Sequence, residues 1–495
     1  MSNARAAGAA AAQASAAADE ASLLEQILTA TPYKQAETRD RFTDTLKEFL
    51  ADCLVNEVTV SRDTEALINS RIAQIDHLIS LQLNEIIHHE SFKKLEGSWR
   101  GLRYLLDHSE TSDQLKIKVL NVSKNELLRD LQKAAEFDQS ALFQKVYEEE
   151  FGTFGGSPIS CMVGDYEITN HPQDMELLEK VSQVAASAHA PFLTSASSEM
   201  MNLESFADLN GIRDVGKVFD NQAYAKWKSF RNSDDSRYVG LCLPHILMRL
   251  PYGQDTAPVE AFAYEEGVDG TDHSKYCWGN AAYALGARVT DAFAKYGWCA
   301  AIRGVEGGGS VEGLPTHTFT SEDGDVALKC PTEVAITDRR EKELADQGFI
   351  PLVHCKGTDF AAFFSVQSAQ KAKVYNQEEA TASARLSSQL PYIFAVSRFA
   401  HYLKSMMRDK IGSFMSRAEC ERFLSDWITQ YICLDPNASQ SVKASLPLSE
   451  ARIEVQEIPG KPGAYRATAF LKPHFQLDEI AVALRLVANL PAAKT

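Results

Sequence analysis

The sequence has no uninterrupted apolar run of about 18 residues, the length a membrane-spanning helix requires. Its two richest stretches, 238–250 and 390–403, are cut by Pro, Arg, His or Lys, so no membrane insertion is expected. Residues 1–18 carry one Arg in a run of mostly Ala, Gly, Ser and Gln, with no Leu, Val or Phe. That removes the apolar centre a secretory signal needs and predicts a flexible tail. Closely spaced cysteines are also lacking. The nine cysteines, at positions 53, 161, 242, 277, 299, 330, 355, 420 and 433, are odd in number and scattered. They fit buried thiols in a reducing compartment better than a disulfide framework or a zinc site. Basic charge is in deficit: 50 Lys and Arg stand against 67 Asp and Glu, a net charge of −17. This argues against a surface that binds nucleic acid or anionic lipid as a whole. A soluble, cytoplasmic protein is predicted.

Catalytic signatures are missing as well. The glycine-rich stretch 307–313 has no Gly-Lys-Ser/Thr and no GxGxxG spacing, and Glu312 stands where a nucleophile elbow needs Gly. It reads as a turn that uses glycines at positive φ. His88-His89-Glu90 lacks the second histidine of a zinc helix, because Lys93 occupies that place, and two adjacent histidines do not share a helical face. Cys355 beside His354 reads as a structural thiol. The clusters 338–341 and 408–410 read as solvated helix faces, or alternatively as interface salt bridges. No catalytic residue, cofactor or metal site is predicted.

What is present is enough chain, at 495 residues with 45% hydrophobic, for about two to four domains. Residues 40–58 put Phe42, Leu46, Phe49, Leu50, Cys53 and Leu54 on one helical stripe. From 64 to 88, Ile68, Ile72, Ile75, Ile79, Leu83 and Ile86 recur at three- and four-residue steps, close to a heptad seam. Such a seam needs a partner, either the preceding helix or a helix of another chain. Alternation at Leu115, Ile117 and Val119 predicts a strand, followed by a helix opened by a Ser123/Glu126 capping box. Short apolar strands are expected at 159–163, 238–243 and 353–354, with helices at 175–188, 280–296 and 338–346 between them, so the middle of the chain reads as mixed α/β. Helices are expected over 378–411, broken near Pro391, and over 417–432. Alternating runs at 452–458 and 465–471, joined by the turn residues 459–463, predict a β-hairpin. Its outer edges either are covered by the same domain or accept a strand from another chain. A last helix is expected over 476–490, with Asp478 and Glu479 in its first turn.

Several segments in collinear order carry a family resemblance. Gly97-Ser98-Trp99-Arg100-Gly101-Leu102, Arg249-Leu250-Pro251-Tyr252, Trp278-Gly279-Asn280-Ala281-Ala282-Tyr283, Ile302-Arg303-Gly304-Val305-Glu306-Gly307-Gly308-Gly309, Lys329-Cys330-Pro331-Thr332-Glu333-Val334 and Leu390-Pro391-Tyr392-Ile393-Phe394-Ala395 are among them. From about residue 40 to Pro491 the sequence resembles the large subunit of the type VI secretion contractile sheath. The resemblance implies a multi-domain α/β fold of the phage-tail-like sheath type, with N-terminal helices, a mixed α/β middle, and a C-terminal domain carrying a β-hairpin and a terminal helix. The ranges expected are a tail at 1–30, a helical small-subunit-binding region at 31–110, a middle domain at 111–375 and a C-terminal core at 376–495.

The function implied is structural. Such subunits pair with a small sheath subunit, polymerise as a helical sleeve around an inner tube of hexameric rings, assemble on baseplate proteins and contract to drive tube and spike into a target cell. A hexameric AAA+ ATPase then dismantles the sleeve, mainly through the small subunit. On this reading Ile453, Val455, Tyr465, Ala467 and Ala469 of the hairpin accept donated strands, and the helix with Asp478 and Glu479 faces the tube, unless those carboxylates only offset its dipole. Phe42, Leu46, Phe49, Ile68, Ile72, Ile75 and Ile79 pack on small-subunit helices. The alternatives are a sheath subunit of another contractile injection system, or an enzyme of undetected mechanism.

Overall fold

The computed structural model describes residues 64–474 and 476, apart from 271, 321–323, 414 and 460–463, together with Arg41, Asp44, Thr45, Lys47 and Glu48. Residues 1–78 and 79–495 form two compact units. In the first, the five isolated residues are helical and exposed, as expected for the polar side of the stripe predicted at 40–58. Phe42, Leu46, Phe49, Leu50, Cys53 and Leu54 lie outside the described residues.

Nine longer helices are named in chain order: α1 (Thr64–Ile87), α2 (Glu90–Asp107), α3 (Lys124–Lys133), α4 (Pro172–Ala188), α5 (Ala282–Tyr296), α6 (Asp338–Asp346), α7 (Glu378–Ser387), α8 (Leu390–Asp409) and α9 (Arg417–Thr429). The strands are β1 (Met162–Ile168), β2 (Phe192–Ala196), β3 (Val239–Leu243), β4 (Ile246–Leu247), β5 (Trp278–Gly279), β6 (Ser310–Val311), β7 (Thr318–Thr320), β8 (Val326–Leu328), β9 (Phe349–His354), β10 (Ala361–Phe363), β11 (Leu448–Glu457) and β12 (Tyr465–Pro473).

The larger unit is built on a six-stranded sheet in the order β1-β2-β3-β9-β10-β6. β1, β2, β3 and β9 run parallel, β10 pairs antiparallel with β9, and β6 pairs antiparallel with β10. Parallel neighbours need a crossover, and α4 supplies the one between β1 and β2. The strand sequences say why this sheet is central. Val239, Leu241 and Leu243 join one buried cluster with Leu178 and Val181 of α4, while Cys242 joins another with Leu285 of α5 and Leu352. Successive residues point to opposite faces, so β3 is covered on both sides and has no polar face to show.

Two glycines explain how α2 comes close enough to pack. A Cβ on Gly97 would stand 2.6 Å from the Trp278 carbonyl oxygen, and one on Gly101 would stand 2.4 Å from the Tyr283 ring. The Gly-x-x-x-Gly face of α2 is therefore the surface that meets β5 and α5. The capping box predicted for α3 is present, with Ser123 and Glu126 satisfying each other's backbone N–H.

The predicted strand at 115–119 is not formed. Leu115 is buried and Ile117 packs beside Leu105 and Tyr283, while Val119 is 67% exposed. The alternation records a one-sided contact, and no neighbouring strand completes a ladder. The strand expected at 159–163 begins later, at Met162, and runs through Gly164 to Ile168. Gly164 interrupts the apolar pattern without ending the strand, because the Phe192 ring occupies the space a side chain would need. The glycine-rich stretch is a turn only in part: Gly308 and Gly313 have positive φ, while Ser310 and Val311 between them form β6. The two charged clusters are not solvated faces throughout. Arg340 binds the Ile212 carbonyl and Glu343, Glu341 is buried, and Arg408 donates to the carbonyls of Phe151 and Thr153.

A third core closes the C-terminal part. Trp298 stacks on Phe399 of α8 at 4.2 Å, and Leu424 and Ile428 of α9 pack with Ile453 and Val455 of β11. The break predicted near Pro391 falls just before α8, with Pro391 in its first turn, where the missing N–H costs nothing. α8 thus spans two cores: Leu390, Ile393 and Phe394 belong to the sheet's, and Phe399 to the hairpin's. Among the described residues no helix is long and apolar enough to cross a membrane.

Candidate assembly interface

The hairpin β11–β12 is antiparallel from Glu450↔Lys472 to Glu457↔Tyr465. Its ladder parity follows from two bonds. Ile458 donates to the Ala464 carbonyl across the hairpin at 2.9 Å, whereas the Val455 N–H turns away and meets Glu421 Oε2 of α9 at 3.4 Å. Backbone groups alternate sides along an antiparallel strand. The N–H and C=O of Arg452, Glu454 and Gln456 therefore face β12, and those of Ile453, Val455 and Glu457 face outward. On β12 the outward set is Tyr465, Ala467, Ala469 and Leu471. All five hairpin residues singled out in the sequence, Ile453, Val455, Tyr465, Ala467 and Ala469, belong to these outward sets.

The two outer edges differ. β11 is anchored at its start, where Leu448 donates to the Tyr431 carbonyl at 3.2 Å and accepts from Cys433 at 2.9 Å, and Glu421 covers it further along. This anchoring extends the strand back to Leu448, beyond the sequence-predicted start at 452. The side chains of Ile453 and Val455 are 3% and 2% exposed, held against α9. On β12, Ala467 is exposed and Ala469 half-buried, and among the described residues no strand pairs with its outer edge. Arg452 lies over the Phe470 ring at 4.8 Å and bridges Glu454 on the exposed face.

A second surface lies on α1. Ile68, Ile72, Ile75 and Ile79 are 38%, 50%, 48% and 39% exposed, and Leu78, Leu81 and Ile86 are exposed beside them. Large apolar side chains repeated this way on one helix mark an interaction surface more than a solvated one. Asp478 and Glu479 lie outside the described residues, as does the helix expected at 476–490.

Two electrostatic nodes lie within the larger unit, and the sequence motifs gave no sign of their pairing. Arg249 binds Glu266 at 2.6 Å and Glu96 at 2.7 Å, all three largely buried, and His88 Nε2 lies 3.1 Å from Glu266. His89 caps α2 by accepting the Ser91 N–H, so the two adjacent histidines have separate structural tasks. His245 sits between Glu333, at 2.6 Å, and Glu167, at 3.3 Å. Burial opposes its charge, yet the two carboxylates overcome this and push its pKa up to about 10. Glu333 also accepts from the Ser205 hydroxyl and the Phe206 N–H. Removing one partner of a buried ion pair strands the other, which holds each node in its arrangement.

Residues 69–370 match the VipB family model, EvpB/VC_A0108 tail sheath N-terminal domain, and residues 379–490 match its companion, the tail sheath gpW/gp25-like domain. The type VI secretion system sheath protein TssC1 of Pseudomonas aeruginosa is 49% identical over 464 residues, covering 93% of each chain. Among solved structures, a chain of the anti-feeding prophage baseplate is similar with a TM-score of 0.38 at 9% identity, covering 76% of this chain and 84% of that one. The contracted helical sheath of the same prophage gives a TM-score of 0.31 at 9% identity, covering 63% and 66%. Two family models that follow one another along the chain, and a relative matched over nearly its whole length, show that the chain belongs to the VipB family as a large subunit of the type VI secretion contractile sheath.

Proposed function

We propose that the chain pairs with a small sheath subunit and polymerises as a helical sleeve around an inner tube, with the hairpin edges as the ties between subunits. The observation that carries this reading is the outer edge of β12, which no strand pairs among the described residues, on a hairpin whose β11 side chains are fixed to α9. A free edge with aligned donors and acceptors takes a strand of any compatible sequence, since main-chain bonds supply the affinity. Such a tie keeps subunits linked while their side-chain packing changes, as contraction requires. Neighbours related by a rotation and a rise make contacts that do not close, so the product is a filament.

The apolar stripe of α1, with Phe42, Leu46 and Phe49 ahead of it, is the proposed seat of small-subunit helices within a region spanning 31–110. The helix over 476–490 is proposed to meet basic residues of the tube through Asp478 and Glu479. Baseplate proteins and the AAA+ disassembly ATPase complete the partner set, the latter acting mainly through the small subunit. The chain's role is mechanical and cytoplasmic, with no catalytic step of its own.

Co-expression with the small subunit and negative-stain microscopy tests the central point. Wild-type chains should form long tubules. Ala467→Pro, which places a ring on the outward edge, should leave a soluble heterodimer and no tubules. Normal tubules from that variant would rule out strand addition at β12.

A further inference from the structure

α1 crosses the boundary between the two units, and its residues from Ile79 onward belong to the larger one. A surface helix ordinarily turns its apolar stripe to the body and its polar stripe to water. The last turns of α1 do the reverse. Ser80, Asn84 and His88 recur at every fourth position. With 3.6 residues per turn they fall within about 80° of one another, and Ile79 and Ile86 lie about 150° from their centre. His88 follows the helix directly and continues its line, its N–H bonding the Asn84 carbonyl at 2.9 Å. Ser80 is buried and Asn84 and His88 are half-buried, with Leu83 and Ile87 half-buried beside them, while Ile79 and Ile86 are exposed.

Three consecutive residues of the loop ahead of β5, Tyr264, Glu265 and Glu266, receive this polar line. The Tyr264 hydroxyl donates to Asn84 Oδ1 at 2.6 Å, and Asn84 Nδ2 donates to the Glu265 carbonyl at 3.3 Å. A carbonyl only accepts, so the second bond fixes which way the amide faces. The Glu265 N–H meets Ser80 Oγ at 3.4 Å, and His88 Nε2 lies 3.1 Å from Glu266 Oε1. The loop is held in turn. The Glu266 N–H donates to the Tyr252 carbonyl at 2.9 Å, and its carboxylate accepts the Tyr252 N–H at 2.8 Å and binds Arg249.

We propose that Ser80, Asn84 and His88 are positioning residues: they seat the end of α1 on residues 264–266 by its polar line and so hold Ile79 and Ile86 outward for a helix of the small sheath subunit. This rests on the reading that the apolar stripe of α1 seats that subunit. Docking through apolar side chains would consume the stripe, whereas docking through hydrogen bonds leaves it uncovered. The polar line itself touches no partner and acts by pre-organisation. The end of α1 is ordered when the chain folds, so less freedom is lost when the partner arrives. A chain whose helix end is docked only part of the time binds with an affinity reduced by that fraction.

The test titrates the full chain with the small sheath subunit and follows hydrogen exchange of the 80–88 amides in the unbound chain. Ile79→Ser/Ile86→Ser removes part of the seat and should weaken binding by about 10-fold or more. Asn84→Ala and His88→Ala should each weaken binding by about 5-fold and speed exchange at 80–88 by a similar factor. His88→Gln, whose side-chain amide reaches Glu266 from the place of Nε2, should bind as wild type does. If the double serine variant binds normally, the seat lies elsewhere and the positioning role falls with it. If that variant loses binding while Asn84→Ala and His88→Ala keep wild-type affinity, the seat stands and the positioning role is overturned. His88→Gln binding no better than His88→Ala also counts against it. Should Asn84→Ala not fold, Tyr264→Phe, which removes one hydroxyl, takes its place, and unchanged binding by that variant overturns the proposal.

Discussion

The central sheet and the terminal hairpin are both β-structure in one chain, yet they treat their edges and faces differently. β2 and β3 are buried at every position, and each is paired on both sides. β12 is buried nowhere along its length and, among the described residues, is paired on one side alone. The sheet finds its cover within the chain, from α4 on one face and α5 on the other. The hairpin covers only the β11 face that packs on α9. The proposed function uses both kinds of structure: a body that does not yield when neighbours slide, and an edge available for a neighbour's strand. α8 joins them, with residues in both cores.

The largest separation between the two regions should come from a core truncation. Phe349 of β9 is fully buried, with its ring 5.5 Å from Phe219 and 5.7 Å from Trp227. Phe349→Ala should cost about 3–5 kcal/mol, measured by the shift in a denaturant midpoint. No single truncation on β12 should approach that value.

Next in size is a pair of prolines on one strand. The Thr468 N–H faces β11 opposite Glu454, so Thr468→Pro removes a ladder bond and should destabilise the hairpin by about 2–3 kcal/mol. The Ala467 N–H faces outward, and Ala467→Pro should cost less than about 1 kcal/mol, since proline is tolerated on the open side of an edge strand. Hydrogen exchange of the β11 amides reads the difference. Equal loss of protection in both variants would show that the ladder parity is shifted.

A smaller effect tests the joint. His401 of α8 is buried, and its Nε2 lies 2.8 Å from the Ala188 carbonyl at the end of α4. Nδ1 is buried without a partner. Burial pushes the pKa down to about 4, and His189, Arg398 and Lys404 add to this by opposing a further positive charge. The unfolded chain takes up this proton near pH 6.5, the folded chain only near 4. Stability from His401 is therefore complete above about pH 6.5 and falls as the pH drops towards 4, by about 2–3 kcal/mol. His401→Gln should flatten that acid slope in thermal melts taken across the range. An unchanged slope would place the acid sensitivity elsewhere.

Sequence reasoning reached the local structures whose signals are themselves local. The Ser123 and Glu126 box, the break before Pro391 and the hairpin needed only nearby residues, and each is formed. The strand predicted at 115–119 failed because alternation reports which side of a segment is buried, and pairing depends on a partner that period alone does not supply. The functional surfaces divide the same way. The apolar stripe of α1 was legible as spacing, and its exposure agrees with a surface awaiting cover. The His245 node was hidden because Glu167 and Glu333 lie far from His245 in sequence. Arg249 and its carboxylates were hidden for the same reason, as a motif shows residue types and not their distant partners.

The smallest predicted effect concerns the difference between the hairpin's own two edges. Glu421 lies on α9 and accepts the outward Val455 N–H at 3.4 Å, a long bond of little strength. Its removal should barely change the fold: Glu421→Ala is expected to cost less than about 1 kcal/mol. Its consequence should appear instead in association. With the carboxylate gone, the outward groups of Ile453, Val455 and Glu457 form a longer uncovered run, and a side chain that competed with an incoming strand is absent. Light scattering of the purified variant should then show more self-association than wild type at equal concentration, while Ala467→Pro, which alters only the other edge, should not. If Glu421→Ala stays as monodisperse as the parent chain, the cover on β11 comes from its anchoring at Leu448 and from packing on α9, and β12 alone carries the asymmetry.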